Sequence, residues 1–78
     1  MNPFVQRAYV YAFSDYRPLG DDKRPIGSAV TELGAKRVYW QWEQQNFPQG
    51  SRWYPVSMVQ QSDRNGNPAW YLGHARKL

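Results

Sequence analysis

Apolar and polar positions alternate along much of this chain. Residues Phe4 to Phe13, FVQRAYVYAF, are dense in β-branched and aromatic types, and Val5, Tyr9, Tyr11 and Phe13 share one parity. That is the period of a strand. Further on, RWYPVSMVQQ alternates again, with Tyr54, Val56, Met58 and Gln60 as the expected core side. Pro55 offers no ladder donor, so this strand is expected at an edge or with a bulge near its start. Asn65-Gly66 follows, a pair that tolerates positive φ and marks a two-residue or bulged hairpin turn. The last segment, AWYLGHARKL, places Trp70, Leu72 and His74 on one parity and must pair back on the strand before it.

The middle of the chain admits two readings. From Ser28 to Phe47 a helix capped at Ser28 and stopped before Pro48 is one of them. On a helical wheel Ala29, Leu33, Trp40 and Phe47 share a face, yet Val38 and Trp42 fall near the opposite one and Gly34 sits inside. In KRVYWQWEQ, by contrast, Val38, Trp40 and Trp42 alternate with Arg37, Tyr39, Gln41 and Glu43. The alternation predicts a strand over Lys36 to Gln44 that buries Val38, Trp40 and Trp42, preceded by a short helical turn over Ser28 to Leu33. Before it, residues 14–27 contain two Pro, two Gly and an Asp pair, the composition of a long irregular loop that is a candidate binding element.

Four short strands, one long loop and two tight turns predict an all-β fold, a small meander or barrel; helix over 28–46 would make it α+β, in the order β-α-β-β. The chain has 78 residues, 41% of them hydrophobic and 17% aromatic, enough for one small domain and one core. It contains no cysteine, which excludes a disulfide framework, thiolate-bound zinc and a cysteine nucleophile. Arg7 interrupts the apolar N-terminal stretch, and no apolar run approaches the ~20 residues of a membrane span. The expected location is the cytoplasm.

Charge is distributed unevenly. Residues 1–35 carry four cations and four carboxylates, so the whole formal charge of +4 lies in residues 36–78, with the greater share of the aromatic residues. Cations overlapping Trp and Tyr are what phosphate attraction and base stacking require. A charge of this size is also ordinary on a small soluble domain.

The Leu33-Gly34 step before an alternating strand, the Trp53-Tyr54 pair opening the next, the Asn65-Gly66 turn, Trp70 on the last strand and Leu78 at its end form a pattern. In them the second half of the chain resembles the bacterial Src-homology-three-like domains. That resemblance implies a small barrel acting as a non-catalytic recognition module through surface aromatic residues.

Catalytic chemistry has little to build on. His74 is the only histidine, no HExxH-like spacing exists, and no metal or other cofactor is expected. Asp21-Asp22 lies in a Pro/Gly-rich stretch where carboxylates cap turns. Gly20, Gly27 and Gly34 do not form a phosphate loop between strand and helix. The expectation is a non-enzymatic binding module. Its first candidate ligand is nucleic acid, met by Arg37, Tyr39, Arg52, Trp53, Arg64, Trp70, Tyr71, Arg76 and Lys77. The same residues would serve a protein partner if the chain is a small regulator or inhibitor of a larger protein, such as those of mobile elements. Binding of carbohydrate or cell wall, with ring faces stacked on sugars, is a lesser alternative.

Overall fold

The computed structural model of the protein describes residues 7–11, 25–46, 53–63 and 65–78. In chain order these form β1 (Ala8–Tyr11), β2 (Pro25–Ala29), α1 (Glu32–Asn46), β3 (Trp53–Ser62) and β4 (Pro68–Lys77). The four strands make one mixed sheet in the order β2-β1-β4-β3. β1 runs antiparallel to β2 and parallel to β4, while β3 and β4 form an antiparallel hairpin. The sheet is open, with β2 and β3 at its edges, so the expected barrel or simple meander is corrected. A helix laid on one face buries the apolar side that barrel closure would otherwise have to cover.

That helix replaces the strand expected over Lys36 to Gln44. Thr31 caps it: its Oγ1 accepts the Gly34 N–H at 3.1 Å, and its carbonyl accepts the Ala35 N–H at 2.9 Å. At the far end the Asn46 amide donates to the Trp42 carbonyl at 2.9 Å. Its buried stripe is Ala35, Tyr39 and Glu43, spaced by four. Val38 and Trp42 pack on one flank of that stripe against the core, and Trp40 is half-buried on the other. The three residues expected on one strand face therefore lie around a helix.

Small residues let the helix approach the sheet closely. Ala8, Ala29 and Ala35 are buried in the core with Val10, Tyr39, Met58 and Trp70. A Cβ on Gly27 would lie 2.6 Å from Val38 Cγ1, so only glycine fits beneath the helix there. Trp70 crosses under this layer and donates its indole N–H to the Ala29 carbonyl at 3.1 Å.

β2 begins at Pro25, which shortens the expected loop at its C-terminal side; residues 12–24 and most of that loop lie outside the described residues. The first strand is seen as Ala8–Tyr11, and Phe4, Val5 and Phe13 lie outside. On β3 the pairing with β4 skips Val56 on one strand and Gly73 on the other, next to Pro55. These irregularities break the simple parity. Met58 and Pro55 are buried while Tyr54, Val56 and Gln60 are exposed, so the even-numbered core side holds only at Met58.

The Asn65-Gly66 turn is a bulged one. Asp63 N–H donates to the Asn67 carbonyl at 2.8 Å, Gly66 N–H donates to the Asp63 carbonyl at 3.0 Å, and Gly66 has φ +83°. The buried Asp63 carboxylate accepts the N–H groups of Asn65 and Asn67, each at 2.9 Å, and the Tyr11 hydroxyl at 3.3 Å.

Two helix carboxylates tie α1 to the edge strand. Glu32 Oε2 accepts the Met58 N–H at 3.1 Å, and the fully buried Glu43 Oε1 accepts the Trp53 N–H at 3.2 Å. Eleven helical residues rise about 16 Å in three turns, and five strand residues span about the same length, so two such bonds align helix and strand.

Candidate functional site

The seam between α1 and the far end of the hairpin carries a strip of rings and cations. Trp40 follows the buried Tyr39 and so projects about 100° around the helix from it. Its ring meets Tyr54 edge to face, with centroids 5.2 Å apart. Tyr54 pairs in register with Arg76, whose guanidinium carbon lies 5.9 Å from the Tyr54 centroid. Leu33, Lys36, Arg37 and Trp40 recur at helical spacing along this flank. Lys77 follows Arg76, and Tyr54, Arg37, Arg76 and Lys77 are all exposed.

The electrostatics of the strip follow from where the carboxylates go. Glu32, Glu43 and Asp63 all accept backbone N–H groups within the fold. Among the described residues, none of Lys36, Arg37, Arg76 and Lys77 is tied to a carboxylate. Their charge faces outward, beside two partly exposed rings.

The residues expected at a binding surface divide into three groups. Arg37 and Arg76 stand on the strip, Lys77 is exposed beside it on the opposite parity of β4, and Trp53 is half-buried at the start of β3. Tyr39 and Trp70 are core, 1% and 8% exposed, and offer no ring face to a ligand. Tyr71 is half-buried and stacks on Tyr11 at 5.5 Å and 16°. Arg52 and Arg64 lie outside the described residues. Sequence reasoning assigned Trp40 and Tyr54 to the core, and the helical spacing of Lys36, Arg37 and Trp40 was the signal that could have brought them together.

His74 is exposed on β4, opposite Ser57. Among the described residues no group of three His, Asp or Glu side chains could hold a metal, and no helix is long and apolar enough to cross a membrane. Compared with protein-family models, curated proteins and solved structures, the chain finds no match.

Proposed function

We propose that the protein is a non-catalytic binding module for single-stranded nucleic acid, and that the strip between α1 and the hairpin is its interface. Trp40 and Tyr54 supply ring faces for bases, while Lys36, Arg37, Arg76 and Lys77 meet phosphates. One observation carries the reading. Among the described residues the cations of the strip are left without carboxylate partners beside partly exposed aromatic rings, while the carboxylates Glu32, Glu43 and Asp63 are drawn into backbone hydrogen bonds.

Titration with a single-stranded oligonucleotide, followed by tryptophan fluorescence at several salt concentrations, tests it. Four neutralised phosphates give a slope of log affinity against log salt of about −3, and Arg76→Glu makes the slope shallower by roughly 0.7 or more. Trp40→Leu weakens binding and removes part of the quenching. An absent or salt-independent signal defeats the proposal.

A second reading rests on Leu33, 58% exposed on the same flank of α1, and Val56, 40% exposed two positions after Tyr54 on β3. Aliphatic groups next to Trp, Tyr and Arg suit a protein partner better than a base. On this reading the oligonucleotide does not bind at about 150 mM salt. A specific protein then survives nuclease treatment and is lost with Leu33→Ser or Tyr54→Ala.

A further inference from the structure

A separate concavity opens at the end of the sheet where β1 and β4 begin, around the side of Tyr9 that faces away from α1. Strand register sets Ser28, Tyr9 and Ala69 side by side across β2, β1 and β4. Arg7 and Asn67 each precede this row by two positions, and a strand period of two sends them to the same face. Val10 and Trp70, one position on, point into the core beneath the helix. Around Tyr9 opens a cavity of about 270 Å³ lined by Arg7, Ala8, Tyr9, Ser28, Asn67 and Pro68.

Tyr9 and Arg7 are each braced by a neighbouring side chain. Tyr9 is 50% exposed, and its ring meets Tyr11 edge to face at 6.5 Å. The Arg7 guanidinium donates from Nη1 to Ser28 Oγ at 3.1 Å, which anchors it and leaves most of its N–H donors for another acceptor. Asn67 has both backbone groups committed to Asp63, at 2.9 and 2.8 Å, while its exposed side-chain amide makes no bond to a described residue. Pro68 closes the wall with an apolar ring.

A fixed aromatic face, an amide presenting donor and acceptor together, and an anchored guanidinium match one ligand chemistry: a flat heterocycle with polar edges that carries an anion. We propose that this cavity binds one nucleotide unit, its base stacked on Tyr9, its base edge on the Asn67 amide and its phosphate on Arg7. Tyr stacks any base, and the amide of Asn pairs with complementary donor and acceptor atoms on a base edge. The site does not depend on the strip described above, which lies at the other end of the hairpin against the helix.

The test is an amide-resolved NMR titration of the full chain with each of the four ribonucleoside 5′-monophosphates, with ribose 5-phosphate as the control that lacks a base. Saturable shifts are expected at Ala8, Tyr9, Ser28 and Asn67, with ribose 5-phosphate about tenfold weaker or more. Tyr9→Leu weakens the nucleotides by a similar factor, while Tyr9→Phe stays within about twofold because the ring face is retained. Arg7→Gln weakens the monophosphates but leaves the free nucleosides unchanged. Equal binding of ribose 5-phosphate would reduce the cavity to a bare anion site and overturn the proposal, as would shifts clustered elsewhere or a folded Tyr9→Leu with unchanged affinity. Trp40→Leu and Arg76→Glu leave this titration unaltered, so the failure of the oligonucleotide experiment and the failure of this one are read separately.

Discussion

Gly27 and Gly66 both resist substitution, for different physical reasons. At Gly27 the constraint is space, because any Cβ falls 2.6 Å from Val38 Cγ1. Gly27→Ala is expected to cost about 1–3 kcal/mol in chemical denaturation, the range for overpacking a formed core. Combining it with Val38→Ala should cost less than the two single changes added together, since the second removes the atom the first strikes. At Gly66 nothing lies within 4 Å of a would-be Cβ, and the constraint is φ +83° alone. Gly66→Val should therefore lose about 1–2 kcal/mol or more with no packing partner that relieves it, whereas Gly66→Asn is better tolerated. The turn was legible because Asn-Gly declares its backbone in its own side chains. The seat beneath Val38 was not, since it exists only once helix and sheet are brought together.

At the scale of elements the hairpin was readable and the helix was misread, and the stretch from Lys36 to Gln44 shows why. Its apolar residues alternate, but what α1 buries is Ala35, Tyr39 and Glu43: one small residue, one amphipathic ring and one carboxylate. A hydrophobic pattern cannot announce a stripe with a charge in it. Glu43 is buried because the edge strand needs an acceptor there, a need that exists only across elements. Two experiments separate the readings. Gln41→Pro, at an exposed position, should cost about 3 kcal/mol and lower the helical signal in circular dichroism, which a strand at that position could not produce. Glu43→Ala should cost about 1–3 kcal/mol through the orphaned Trp53 N–H, and Glu43→Gln, which keeps an acceptor oxygen, should cost less.

At the scale of the whole molecule the pairing of β1 with β4 decides the architecture, and no local pattern near Tyr9 or Ala69 could have announced it. The same long-range pairing explains how much of the candidate surface could be read. Arg37, Arg76 and Lys77 were found from charge, but Trp40 and Tyr54 join them only through the helix–hairpin seam, and Arg7 and Tyr9 meet Asn67 only across the parallel ladder. The edges give a prediction at this scale. Among the described residues β3 is a ten-residue edge on which Glu32 and Glu43 occupy two N–H groups and Pro55 removes a third donor. Removing both acceptors with Glu32→Ala and Glu43→Ala should raise concentration-dependent association in analytical ultracentrifugation relative to the unaltered chain. A double variant with unchanged sedimentation would show that the carboxylates do not guard the edge. The parallel ladder has a further consequence, for synthesis. Tyr9 leaves the ribosome sixty residues before its neighbour Ala69, and until then the β1–β2 pair exposes the side on which the sheet will close. Translation makes β1 before β4, so the ladder between them can form only after the sixty residues from Tyr9 to Ala69 have been made.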